Sequence, residues 1–281
     1  MIFQARHIST SSTACSLLIA LAMPVCVHAQ SYIEAEDEAF YEAYADGWQT
    51  GDWSGRGFKD WRLFAPDYGA TGEEQYAGFF IAETDEEDDL AATAREGRAF
   101  GIFANGTGFE ETLAFRAFER PLSVGDVFSL RFEFDGFGTK FERDAGGISS
   151  VGIALRHAET ANDLSELSEG RALAVALIEG LSTYQILDAS GRFNTRIFLD
   201  QSGIEVGVTA GEAGQYDLQI TTLSDQVLHS FPNRQMNLPN NEDEEAPMDA
   251  SLKSFALFNL NGGANNAYFG AFQISRQEGK F

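Results

Sequence analysis

Hydrophobic and polar residues alternate along Val127–Phe134 (VFSLRFEF). Val127, Ser129, Arg131 and Glu133 fall on one side, and Phe128, Leu130, Phe132 and Phe134 on the other. A period of two predicts an antiparallel strand with one buried and one solvated face. Similar short segments recur on both sides of it. Trp61–Phe64, Ala77–Ala82, Arg98–Ala104 and Leu113–Phe118 come before. Val151–Leu155, Thr183–Leu187, Arg196–Leu199, Ile204–Val208 and Tyr216–Thr222 come after. Ala172–Ile178 (ALAVALI) is apolar throughout, and its length and the flanking Gly170 and Gly180 predict a strand buried on both faces. Leu252–Leu260 and Ala267–Ile274 close the series as a final pair.

Turn residues separate these segments: Asn105-Gly106, Gly125-Asp126, Asp188–Gly191 and Gly211–Gly214. Gln30–Ala45 is acidic and predicts a first edge strand or a loosely held arm. Asp46–Asp60 sets four glycines among Trp48, Trp53 and Phe58, a density that defeats helix and marks a structured loop. Glu83–Asp89 (ETDEEDD) predicts a solvated loop leading into a helical turn at Leu90–Arg95. Residues 231–250 hold Pro232, Pro239, Pro247 and the acidic run Glu242–Glu245, and predict a long exposed loop or insertion. About a dozen short strands and no sustained amphipathic helix predict an all-β protein, a two-sheet antiparallel β-sandwich. At this length a jelly roll fits better than an immunoglobulin fold, which takes about 100 residues.

The first 29 residues have the pattern of an export signal. Arg6 is followed by the apolar run Ala14–Ala22, short of the roughly 20 residues that cross a bilayer, and Val27-His28-Ala29 forms a peptidase site. Cleavage after Ala29 predicts a secreted protein, periplasmic or extracellular. A lipid-attachment cysteine wants a small residue before it, and Val25 precedes Cys26. Cleavage removes both cysteines, which excludes disulfides, thiolate metal sites and a cysteine nucleophile. Residues 30–281 then form a single domain of about 250 residues, large enough to bury roughly 70–75% of its unfolded surface. Its many phenylalanines, 24 in the whole chain, supply the core. No later segment is long and apolar enough to predict membrane insertion.

The charge narrows the choice of partners. The chain has 43 Asp+Glu against 19 Lys+Arg, a formal net charge of −24. Such a field repels nucleic acid and anionic lipid. Acids spread along the whole chain suit solubility in a salty medium. Two clusters are candidates for calcium: Asp85, Asp88 and Asp89, and Glu242, Asp243 and Glu244.

Several stretches resemble secreted bacterial domains of the concanavalin A-like (laminin-G-like) jelly-roll type. They are Gly47-Trp48 to Phe58, Trp61, Arg98–Asn105, Pro121–Phe128, Val151–Leu155 and Ala267–Ile274. Together they span most of the mature chain, yet they are core and turn residues. The resemblance therefore implies a fold more than an activity. The wider group includes lectins, glycan-binding modules, glycosidases and polysaccharide lyases.

Catalytic motifs of that group are incomplete. Arg131, Glu133 and Asp135 are the candidate catalytic residues, but Glu133-x-Asp135 runs into Phe137-Gly138, without the second carboxylate of a glycosidase pair. The lyase pattern fails too: Gln185-Ile186 is followed by Leu187 where a histidine base belongs. His157 and His229 stand apart, as surface or structural residues. Trp48 and Trp53 are the candidate ligand-binding residues, because indole faces stack on sugar rings. The expected function is a non-catalytic secreted β-sandwich that binds glycan or another extracellular surface component. The alternatives are a carbohydrate-active enzyme with an atypical site and a purely structural envelope protein.

Overall fold

The alternation in Val127–Phe134 reappears as burial, with its four even-numbered aromatic and leucine side chains in the core. The computed structural model describes residues 31–65, 76–84, 90–105, 110–138, 149–159, 167–239 and 249–277. Within them run fifteen strands: β1 (Ser31–Asp37), β2 (Phe58–Phe64), β3 (Ala77–Glu83), β4 (Arg98–Ala104), β5 (Glu111–Leu122), β6 (Val127–Phe134), β7 (Ser150–Arg156), β8 (Arg171–Ile178), β9 (Thr183–Asp188), β10 (Gly191–Phe198), β11 (Ile204–Ala210), β12 (Gln215–Thr222), β13 (Leu228–Gln235), β14 (Leu252–Leu260) and β15 (Ala267–Gln277).

They form two antiparallel sheets, the all-β sandwich that the sequence predicts. One has eight strands in the order β13-β12-β11-β6-β15-β4-β3, with β1 paired to β15. The other has seven, in the order β10-β9-β8-β7-β14-β5-β2. The inner faces meet in one aromatic core. Phe128 lies 4.9 Å from Phe255 between ring centroids, Phe255 stacks on Phe272, and Phe132 stacks on Phe269 at 5.0 Å. A second cluster, with Leu113, Phe115, Ala154, Ala174, Ala176, Ala256 and Phe258, lies on the outer face of the seven-stranded sheet. Both faces of β8 are therefore buried, as its unbroken apolar run predicts. Gly152 of β7 serves this packing: a Cβ there would meet Val175 O at 2.2 Å.

Three expectations are corrected. Leu252–Leu260 and Ala267–Ile274 do not pair with each other. β14 lies between β7 and β5, and β15 between β6 and β4, in opposite sheets. The loop expected from residue 231 starts later, because Leu228–Gln235 forms β13, an edge strand on β12. Pro232 has no N–H to donate to a sheet, and an edge strand tolerates that. The outer face of β6 is not solvated where Glu133 sits. The turn at Leu90–Ala92 lies on this side, packing Leu90 with Ala82, Ala99 and Tyr268, and Glu133 is 0% exposed.

Candidate functional site

The glycine- and tryptophan-rich segment between β1 and β2 is tied down by its backbone. Glu36 and Arg56 exchange N–H···O bonds at 3.1 Å in both directions, Gly51 N donates to Trp61 O at 2.9 Å, and Trp61 N donates to Asp52 O at 3.0 Å. Gly55 and Gly57 have φ of +68° and +79°, and a Cβ on either would fall 2.0 Å from Glu36 O or 2.3 Å from Ala35 Cβ. Only glycine allows the two backbones to approach that closely.

Beneath this segment lies a buried polar cluster. Arg116 of β5 and Asp37 of β1 form an ion pair with both side chains fully buried. Tyr44 donates to the same Asp37 oxygen, Trp61 Nε1 donates to Tyr44 OH at 3.1 Å, and Glu38 N donates to Asp37 Oδ1 at 3.0 Å. Arg116 also donates from Nε to Lys59 O at 2.7 Å and from Nη2 to Ser54 O at 3.1 Å. Its guanidinium lies over the rings of Phe58 and Trp61, at 5.0 and 4.8 Å. One cation therefore joins the first strand, the loop and the edge strand β2. Burial pushes the Asp37 carboxyl and the Tyr44 phenol up, and Arg116 is the largest influence opposing the rise on each.

The two candidate tryptophans separate. Trp48 is 4% exposed, with Trp61, Phe79 and Phe100 at centroid distances of 4.9 to 5.2 Å, so its ring is committed to the core and cannot stack on a ligand. Trp53 is 56% exposed, and its Nε1 donates to Phe58 O at 2.9 Å, which fixes the ring in place. Beside it is a cleft of about 310 Å³ over the β2 and β5 edge, lined among others by Lys59, Asp60, Arg62, Glu119 and Glu159. Lys59 and Glu159 meet across it at 3.2 Å.

The candidate catalytic residues do not form an open site. Glu133 is enclosed: a Cβ on Gly203 would stand 3.0 Å from Glu133 Cβ and 3.1 Å from Thr93 Oγ1. Arg131 is engaged by Glu205 at 3.2 Å and donates to Ala92 O at 2.7 Å. Asp135 follows the end of β6, half-buried. A sugar ring cannot reach the Glu133 carboxylate without displacing the segment around Thr93. The solvated face that the alternation predicts is thereby corrected at Glu133.

His157 is buried, with Nδ1 3.0 Å from Ser251 O and Nε2 2.7 Å from Asn237 O. It thus bridges the chain on either side of residues 240–248. The calcium candidates Asp85, Asp88, Asp89, Glu242, Asp243 and Glu244 lie outside the described residues. Among the described residues no group of three or more His, Cys, Asp or Glu is placed to hold a metal ion, and no helix is long and apolar enough to cross a membrane.

Sequence reasoning missed Asp37, Arg116, Lys59 and Glu159. One signal was available: Arg116 interrupts the apolar run Leu113–Phe118, and a cation inside a buried strand needs an acid partner.

No protein-family model matches the chain, and no curated protein does. Solved structures with similar architecture include a legume lectin-like domain from Entamoeba histolytica, at 9% identity over 72% of this chain and 90% of that one, with a TM-score of 0.39. Cellulose induced protein Cip1 is 12% identical over 76% of this chain and 90% of its own, with a TM-score of 0.41. The exoplasmic/lumenal domain of VIP36 in its Ca2+/Man3GlcNAc-bound form is 8% identical over 74% of this chain and 86% of its own, also at 0.41. The likeness is one of β-sandwich architecture.

Proposed function

We propose that this protein is an exported, non-catalytic β-sandwich that binds glycan at the Trp53 cleft. The observation that carries this reading is the exposed indole of Trp53, held by its own N–H on Phe58 O beside a cleft rimmed with charged side chains. A pre-positioned aromatic face covers the apolar side of a sugar ring at little entropic cost, while charged groups at the rim take its hydroxyls. The enclosure of Glu133 weighs against the enzymatic alternative. The export signal supports an extracellular setting, and the secreted chain is expected to begin at Gln30, as read by its intact mass.

A glycan array probed with the mature chain tests the binding. The wild type is expected to retain one class of glycan and to release no product from it. Trp53→Ala is expected to weaken retention by about 1–2 kcal/mol, roughly five- to thirtyfold, as expected for uncovering one stacked ring face. Its melting temperature should hold, since the ring is mostly outside the core. A silent array, or equal retention by Trp53→Ala, would sink the proposal.

A further inference from the structure

His157 meets two oxygens of the same kind. Its Nδ1 lies 3.0 Å from Ser251 O and its Nε2 lies 2.7 Å from Asn237 O. A backbone carbonyl oxygen only accepts hydrogen bonds, and a neutral imidazole has a single N–H to give. In a neutral ring one nitrogen would turn its lone pair on a carbonyl at hydrogen-bond distance. Both contacts are bonds only when both nitrogens carry hydrogen, and that ring is positively charged. His157 is buried, so a bond left unmade there is costly.

The two carbonyls are held unequally. Asn237 is fixed twice, its N and its Nδ2 both donating to Ala172 O, at 2.8 and 3.2 Å. The backbone that carries the ring is fixed as well. His157 N donates to Gly170 O at 2.8 Å, and Ser254 Oγ donates to Ala158 O at 2.6 Å. Ser251, just before β14, is anchored locally, its N donating to Asp249 Oδ1 at 3.0 Å. The Asn237 contact is also the shorter of the two. A neutral ring therefore keeps its hydrogen on Nε2 and gives up Ser251.

Several charged groups surround the ring. Arg156, Arg171 and the exposed Glu169 line, with His157 itself, a cleft of about 710 Å³. Glu159 is engaged by Lys59 at 3.2 Å, and Asp249 by Lys253 at 2.8 Å. The bonds from Lys253 and Ser251 hold the Asp249 carboxyl well below the usual carboxylate range, so it stays charged while an imidazole titrates. The arginines keep their charge over the same range. They and burial oppose a charged ring, and the two carbonyls favour it.

We propose that His157 is a pH-sensitive clasp: charged, it ties Ser251 O to Asn237 O, and neutral, it releases Ser251 O and loosens the entry to β14. An imidazole changes charge between about pH 5 and 8. The clasp is closed at the acid end of that range and opens as pH rises, and the cleft loses one positive charge in the same step. It is separate from the Trp53 cleft, and neither proposal depends on the other.

The test follows the ring nitrogens of His157 in the mature chain by long-range proton–nitrogen correlation, from about pH 5 to about pH 9. Hydrogen is expected on both nitrogens at the acid end and on Nε2 alone at the basic end. The Ser251 carbonyl carbon should shift with the same midpoint, and that of Asn237 much less. Amide exchange at Leu252, corrected for the intrinsic effect of pH, should quicken about tenfold or more across the transition, as the loss of one bond to a charged group implies. His157→Lys keeps a charged donor throughout and should remove the pH dependence at Ser251. Should that variant not fold, the wild-type ring spectrum decides alone. A ring with one hydrogen at the acid end, or two at the basic end, overturns the proposal. So does a titration that leaves the Ser251 carbonyl unmoved.

Discussion

Arg116→Met is expected to cost about 3–5 kcal/mol of stability at neutral pH, as breaking one side of a fully buried ion pair does. Asp37 would remain buried beside Tyr44 with its counter-charge gone. The cost should depend on pH with a definite sign. Burial already raises the Asp37 carboxyl, and Arg116 is the largest influence holding it down. Without Arg116 the folded-state pKa rises further above the unfolded value. The group's contribution is then fully present below the unfolded pKa, near 4, and is lost as pH rises through the folded one. The deficit between wild type and variant, measured by urea unfolding at each pH, should be smaller near pH 4 and grow toward pH 7. Asp37→Asn in the Arg116→Met background should recover part of it, because both charges are then gone. A deficit that shrinks as pH rises would mean that Asp37 is not the group left exposed to burial. Arg116 also bonds Lys59 O and Ser54 O. The same variant should therefore loosen the loop under Trp53 and broaden its indole resonance.

This dependence shows how the candidate site is built and why only part of it was legible in the sequence. Local periodicity carried what it could. The inward face of β6 and the double burial of β8 follow from patterns eight residues long or less. Trp53 was a candidate because it lies in a glycine-rich loop and an indole face stacks on sugar rings. What sequence could not supply was anything set by pairing at a distance. Asp37 and Arg116 are 79 residues apart and meet only because β1, β2 and β5 converge under the loop. Arg156 and Arg171 face one another because of the register of β7 on β8, which shifts by a bulge between Leu155 and Arg156. Glu133 looked solvent-facing because alternation describes one sheet and does not report the segment around Thr93 that covers it. Pro232 looked like loop because its strand lies at an edge, where the usual exclusion of proline lapses.

The clearest separation of core from site is expected at the two tryptophans. Trp48→Ala should destabilise the fold by about 3–5 kcal/mol, the range for emptying a large aromatic site that neighbours fill only in part. Those neighbours are Trp61, Phe79 and Phe100, each in ring contact with Trp48. Trp61 and Phe100 also contact Phe272, so the vacancy would lie against the central aromatic packing. Trp48→Phe should cost much less. It keeps a ring in the space and removes an indole N–H that is buried without an acceptor among the described residues, a group that costs about 1–3 kcal/mol to leave unsatisfied. Both variants should bind glycan as the wild type does at temperatures where they are folded, because the exposed face belongs to Trp53. Urea unfolding and array retention, read on the same preparations, give the two answers independently. Loss of glycan retention in a fully folded Trp48→Phe would place the ligand on the buried indole and reverse the assignment of core and platform.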